Sequence, residues 1–434
     1  MHKSSVWLIP IVLLTFSISQ SEPIWHPFAN KGPEAMTEIN IPNSDNYRTT
    51  VTIDIPGFLV EEETVDGINY HHISIPILNG GTLTEEGSPQ LPLIARFIAI
   101  PPDRDPEIRI TEKIEETFVG YNVYPYQPPL PDVPEAQSSQ TFTLNEKRYT
   151  TDAFYPEAFV TSDDPAIIRD YRVIPLIIQP VRYNPVTKEL VIARHIQIEL
   201  TYSRIATQNV KTNFRAQISK TFEPLYRRFI LNYDFVQPPQ EPMDGSYLII
   251  THDNFYSAVL PLAEWKMLKG WRNKVVKTSD IAPNPTAAQI YSYIHDAYLN
   301  WPLAPDYVLL VGDVEYVPCA YGVNSAATDH YFTKHEGADY FSDLLVGRIS
   351  VKTLTEAQTV VNKLIGYESN PFVDTIDWYR KATTIAGYEG SSRFWTVCIR
   401  IMNRLLAYGY TQVDTLFQRW GLATPTNITN AVNE

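Results

Sequence analysis

The stretch Asp306–Pro318, DYVLLVGDVEYVP, decides how the rest of the chain is read. From Tyr307 to Val311 the side chains are apolar without a polar break. A strand with one wet face alternates, whereas a strand covered on both faces does not, so this run reads as the middle of a parallel sheet. Gly312 and Asp313 then mark its carboxyl end, where open parallel sheets build their sites. The flanks agree. GSYLIITH and KVVKTSDI read as strands, SAVLPLAEWKMLKG as an amphipathic helix closed by Gly270, and TAAQIYSYIHDAYLNW as a second helix. Downstream come DLLVGRIS (strand), LTEAQTVVNKLIGYE (helix), KATTIAGYEG (strand), SRFWTVCIRIMNRLLAYGY (helix) and QVDTLF (strand). The alternation predicts a doubly wound parallel sheet with right-handed crossovers. NPFVDTIDW, residues 370–378, marks a subdomain boundary within it. The last residues, GLATPTNITNAVNE, read as a helix start, with Thr424 as cap and Pro425 in the first helical position.

Upstream the period changes to two. From about Tyr47 to Ser203, segments such as RTTVTIDIPGF, HHISIPILNG, ARFIAIP and ELVIARHIQIELTYS alternate apolar and polar residues and are rich in β-branched side chains. YNPVTKEL, residues 183–190, reads as a hairpin turning at Asn184-Pro185. One antiparallel β domain is expected, a sandwich or half-barrel, interrupted by the proline-rich YPYQPPLPDVPEAQ. A second proline-rich stretch, FVQPPQEPMDG (235–245), separates the two patterns. Just before it stands Arg227-Arg228, either a solvated basic pair or a trypsin-like processing site.

The chain has 434 residues, more than one ordinary domain needs. Lys+Arg 35 against Asp+Glu 49 gives a net charge of -14, which argues against nucleic-acid binding and leaves calcium or basic peptides open as partners. Two cysteines, Cys319 and Cys398, exclude a disulfide-rich scaffold. The first residues, MHKSSVWLIPIVLLTFSISQSEP, have a basic start, a short apolar run and small residues after it. They read as a secretory signal over 1–21, and no other stretch reads as a membrane span, so the mature protein is expected to be exported, as a secreted or surface-held protein.

Phosphate loops are missing: neither GxGxxG nor GxxxxGK[ST] occurs. His252, His295, His330 and His335 form no metal-ligand spacing, and neither cysteine is paired with a histidine by any motif. What remains are acids near strand ends. Asp313 ends YVLLVGD, Glu389 ends TTIAGYE, and Asp339 and Asp343 lie in ADYFSD. Asp339, the Phe341 carbonyl and Asp343 offer oxygens at alternate positions, a pattern that suits calcium, and Asp313 could join from the neighbouring strand end. A capping aspartate and a solvated acidic loop are the plainer alternatives.

In this order, YVLLVGDVEYVP, TDHYF, DYFSDLLVGRISVKTLTEAQTVVNKLIGYE and TIAGYEGSS resemble the gingipain-like cysteine peptidases. GSPQLPLIARFIAIP and YRVIPLIIQPVRYNP resemble that family's propeptide. The likeness runs over about residues 45–434. It implies an α+β multidomain zymogen, with a β-sandwich-like propeptide domain followed by a caspase-like α/β domain that is incomplete at its carboxyl terminus. The implied layout is a signal peptide at 1–21, a propeptide with linker at 22–234, a first α/β subdomain at 244–370 and the start of a second at 376–434. The family's catalytic histidine and cysteine would lie beyond Glu434, and Glu389 would orient the histidine. The resemblance also implies a structural calcium held by Asp313, Asp339 and Asp343 side chains with the carbonyls of Glu336 and Phe341. Its partners would be protein or peptide substrates, with the propeptide docked on its own catalytic domain. The expected activity is cysteine endopeptidase, absent from these 434 residues alone. The alternative is a non-enzymatic exported adhesion or pseudo-protease protein.

Overall fold

A computed structural model describes residues 23–129, 142–215, 217–236, 241–371, 377–388 and 393–433. The expected signal segment and Glu389 lie outside the described residues.

The amino-terminal half is built on the long strand Glu189–Ile205. One of its edges pairs with Arg104–Val119 along its length. The other takes Val181–Asn184 first and Arg48–Asp54 further on. The expected hairpin is present because the Asn184 carboxamide oxygen accepts the Val186 N–H at 3.0 Å, folding Asn-Pro into a side-chain-closed turn. A second antiparallel sheet centres on Tyr171–Ile178 between Pro92–Ala99 and Ala166–Ile168. A third joins Ile24–Pro27, Gly57–Val65 and Ile68–Ser74. The inward residues of all three, among them Ile53, Phe58, Ile98, Leu176 and Ile198, meet in one core. Period-two alternation thus produced a layered antiparallel domain with a shared interior.

Residues 217–236 belong to that domain by packing. Phe222, Tyr226, Ile230 and Tyr233 share a cluster with Ala99 and Val173. Asn232 is fully buried and stands in for a strand neighbour. Its side-chain oxygen accepts the Ala99 N–H at 2.8 Å, and its amide donates to the Ala99 carbonyl at 2.9 Å. Arg227 lies in the short helix Glu223–Phe229, bonded to Glu223 at 2.7 Å and to Asp234 at 3.2 Å.

The second half carries a four-stranded parallel sheet in the order Asn273–Lys277, Ser246–Thr251, Pro305–Val311, Leu345–Ile349. The apolar run read as a central strand is central. Helices Tyr256–Leu268 and Leu354–Ser369 cover one face, and Ala287–Asn300 covers the other. Two of these helices start with reciprocal caps, Thr286 with Gln289 and Thr353 with Glu356. Two expectations are corrected. The strand in KVVKTSDI stops at Lys277, and Thr278–Ile281 is a helical turn. The Asp280 carboxylate takes the Lys277 N–H at 3.0 Å and closes that turn. And the strands after residue 376 do not extend the main sheet. Lys381–Ala386 and Gln412–Phe417 pair with each other in a parallel sheet of their own, connected by helix Arg393–Tyr408. The terminal helix Pro425–Asn433 forms, with the Thr424 hydroxyl accepting the Asn427 N–H at 3.1 Å. Among the described residues no helix is long and apolar enough to cross a membrane.

Candidate functional site: the two ends of the parallel sheet

Asp313 follows the central strand at its carboxyl end. Its carboxylate accepts the Val314 N–H at 2.8 Å, the Ser350 hydroxyl at 3.0 Å and the Lys352 ammonium at 3.3 Å. The backbone hydrogen bond from Val314, then Ser350 and Lys352, hold its pKa below the usual carboxylate value. Its carbonyl accepts from Tyr316 and Val317, so Asp313 caps the turn that leaves the sheet. Beneath that turn Arg348 forks onto both oxygens of Asp329, each at 2.8 Å, and donates to the carbonyls of Gly312 and Val317. Between the strand ends opens a crevice of 580 Å³ lined by His252, Asp253, Ser279, Glu315, Tyr316 and Cys319. It lies where the chain order reverses from Ser246–Thr251 to Pro305–Val311, the place such sheets use for ligands. The Asn254 N–H donates to His252 Nδ1 at 3.2 Å, and the ring meets Tyr316 edge-on. Among the described residues no cysteine is hydrogen-bonded to a histidine, and Cys319 and Cys398 are both free thiols.

The other acids stand at the opposite end. Asp343 precedes Leu345, which pairs with Tyr307, whereas Asp313 follows Val311, which pairs with Ile349. The ladder alone separates them by at least about 13 Å. The expected calcium set is therefore not assembled: Asp313 is remote from Glu336, Asp339, Phe341 and Asp343. No three His, Cys, Asp or Glu side chains among the described residues are placed to hold a metal.

The amino-end acids are occupied by the β domain instead. Asp339 Oδ2 accepts the Ile167 N–H at 2.8 Å, and its other oxygen accepts the Phe341 N–H. Asp343 is fully buried and accepts three backbone N–H groups, from Arg169, His335 and Glu336. Burial lifts its pKa to about 7 and also raises that of Asp339. His335 is driven the other way, to about 4, again chiefly by burial. Glu336 Oε2 pairs with Lys211 at 2.7 Å, and Oε1 accepts the Tyr298 hydroxyl at 2.7 Å. The Phe341 ring packs edge-on against Phe97 at 5.2 Å. Arg169 enters at the centre, 2% exposed, donating to the carbonyls of Pro305 and Asp343 and to Asp306 Oδ1 at 2.7 Å. Asp306, itself fully buried, also accepts from Ser219 at 2.8 Å and from the Gly245 N–H at 3.0 Å. A Cβ at position 245 would collide with that carboxylate, so glycine is required for the approach. Arg169, Lys211 and Asp306 were not singled out in the sequence. The one signal was a charged pair, Arg169-Asp170, interrupting the apolar AIIRDYRVIPLII.

An antiparallel β domain is thus locked by buried charges onto a doubly wound α/β domain. The profile of the C25 propeptide matches residues 48–234, and that of peptidase family C25 matches residues 240–434. The chain belongs to that family, the gingipain-like cysteine peptidases, and carries its propeptide. Gingipain R2 of Porphyromonas gingivalis is 28% identical over 366 residues, covering 82% of this chain and 48% of that protein. Lys-gingipain of the same species is 27% identical over 346 residues, covering 76% of this chain and 19% of that protein. The chain therefore spans about half the length of the first relative and about a fifth of the second. Among solved structures, the complex of the P. gingivalis RgpB pro- and mature domains matches with TM-score 0.40 and 20% identity, over 46% of this chain and 97% of that one. The Arg-specific cysteine proteinase gingipain R matches with TM-score 0.39 and 26% identity, over 45% of this chain and 46% of that one.

Proposed function

We propose that the chain is the propeptide and amino-terminal catalytic portion of a secreted cysteine endopeptidase zymogen. The observation that carries this reading is the pairing of domains: a propeptide-family β domain sits through buried contacts on a peptidase-family α/β domain. The described residues contain acids, a crevice and free thiols but no Cys–His pair, and a thiol nucleophile needs an adjacent base. The reading therefore assigns the Cys–His pair to sequence following residue 434, with Glu389 accepting a hydrogen bond from the histidine and fixing its tautomer. The substrates would be polypeptides. Export rests on the basic-then-apolar amino terminus.

Arg227-Arg228 is a poor processing site while the β domain is folded. It lies in a helix whose neighbours Tyr226 and Ile230 are buried, and proteases need an extended chain.

The test is thiol-dependent hydrolysis of fluorogenic peptides by the full coding-region product, before and after the β domain is removed. Activity that appears on removal supports the reading. It fails if the coding region supplies no further histidine and cysteine to form the pair, or if the complete product with the β domain removed shows no thiol-dependent cleavage.

A further inference from the structure

We propose that the β domain is latched by one guanidinium, Arg169, and that the acidic loop 336–343 is the latch receptor, not a cation cage, in the docked chain. This rests on the zymogen reading for its biological meaning but not for its geometry. Four carboxylates, Asp306, Glu336, Asp339 and Asp343, belong to the α/β domain and crowd the amino end of its sheet. The β domain brings Arg169, Lys211 and Arg215 to them, with Asp170 bonded to Arg215 at 3.2 Å and to the Tyr226 hydroxyl at 2.7 Å. Arg169 holds the central place. Its φ of 47° is a conformation that side-chain-bearing residues avoid, so the turn is held open by what the residue binds. Its backbone N–H goes to Asp343, its carbonyl accepts the Lys211 ammonium at 2.7 Å, and its guanidinium lies over the rings of Phe222 and Tyr298. A planar fork with two carbonyls and a carboxylate in reach is arginine chemistry that lysine cannot reproduce.

The same contacts displace the cation expected at this loop. Asp339 and Asp343 accept N–H groups on both oxygens, and Lys211 stands against Glu336. A dication would have to compete with these donors and with the Lys211 ammonium for oxygens whose lone pairs are already partly taken. Because the latch lies at the amino end of the sheet, it leaves the crevice at the carboxyl end open. Holding the propeptide and blocking a site are then separate tasks of the β domain.

The experiment uses the full chain. Hydrogen exchange of residues 163–170 and 336–343 is followed in the wild type, in Arg169→Ala and in Arg169→Lys, each with chelator and with millimolar calcium chloride. Small-angle scattering reports compactness. The wild type is expected to protect both segments equally in chelator and in calcium. Arg169→Ala is expected to lose about tenfold or more of that protection and to expand, with strand Glu189–Ile205 still protected as proof that the β domain is folded. Arg169→Lys should fall between. Unchanged protection and compactness in Arg169→Ala overturn the latch. Loss of wild-type protection in chelator overturns the exclusion of the cation. If Arg169→Ala does not fold, Lys211→Met and Arg169→Lys carry the same test with partial loss. None of these readouts uses proteolysis, so a chain that latches as described but never yields peptidase activity sinks the zymogen reading alone.

Discussion

Two arginines close the two ends of one sheet, and they come from different places. Arg348, on the edge strand of the parallel sheet, ties the carboxyl-end turns through Asp329 and the carbonyls of Gly312 and Val317. Arg169 ties the amino end through Asp306 and the carbonyls of Pro305 and Asp343, but it arrives from the β domain. The chemistry is the same, a fork satisfied by one carboxylate and two carbonyls. The difference is ownership. The α/β domain fixes for itself the end where its crevice lies, and at the other end borrows the cation that makes its buried acids tolerable. A propeptide attached in this way can leave without dismantling the carboxyl end.

The largest expected effect tests the borrowed end. Asp306→Ala removes the carboxylate and strands Arg169, 2% exposed, against two carbonyls. Removing one partner of a buried pair costs about 3–5 kcal/mol, which chemical denaturation of the full chain would register. A loss near zero would mean that the carbonyls alone satisfy the guanidinium, and the comparison would fail. Arg348→Ala comes next, at about 2–3 kcal/mol, because hydrogen bonds to charged groups are lost at a site partly open to water. Its mark should be local, with raised hydrogen exchange around Gly312–Val317 and no change at 163–170. Spread of the effect to the amino end would show that the two closures are coupled.

Acidity sharpens the contrast within the borrowed end. Asp343, pushed to about 7 by burial, binds a proton more tightly folded than unfolded. Its contribution therefore falls as pH rises from about 4 to about 7. His335, pushed to about 4 by burial, binds its proton less tightly folded, so its contribution rises with pH from about 4 to about 6.5. The two slopes oppose each other, each at most about 1.4 kcal/mol per pH unit. Where both windows overlap, roughly pH 4.5 to 6, the wild-type profile is expected to lie between those of the two variants. Asp343→Asn should tilt it upward with pH and His335→Asn downward. Tilts of the same sign in both variants would refute the assignment.

Much of the fold could be read from the sequence because period and apolar runs report burial directly. The central position of Pro305–Val311, the hairpin at Asn184 and the Thr424 cap all follow from local pattern. That the strands after residue 376 pair with each other and not with the main sheet did not, since periodicity marks a boundary at 370–378 but does not encode pairing across it. The acids were legible as residues but not as a site. Asp313 follows its strand and Asp343 precedes the next one, so once the sheet is parallel the register sends them to opposite ends, a consequence that oxygen spacing along the string does not show. Arg169 was hidden for the complementary reason. A charged pair inside an apolar run signals something buried, but the groups of the α/β domain that Arg169 meets lie more than a hundred residues away.

The smallest effect belongs to Asp313, and it decides which of two roles that residue has. As a turn cap in water it should tolerate replacement. Asp313→Asn keeps an oxygen to accept the Val314 N–H and loses the charge facing Lys352. Asp313→Ala loses both. If the residue is a cap, Ala should lower the melting temperature marginally, Asn less than Ala, and calcium should shift neither variant differently from the wild type. A cation ligand behaves otherwise: both variants would lose a calcium-dependent stabilisation that the wild type has, since a ligand bound only to the folded state must raise its stability. That outcome would put a cation either at the carboxyl end, where Asp313 and Glu315 share Lys352, or between the two ends against the register of the parallel sheet, and the second case would break the division on which the comparison depends.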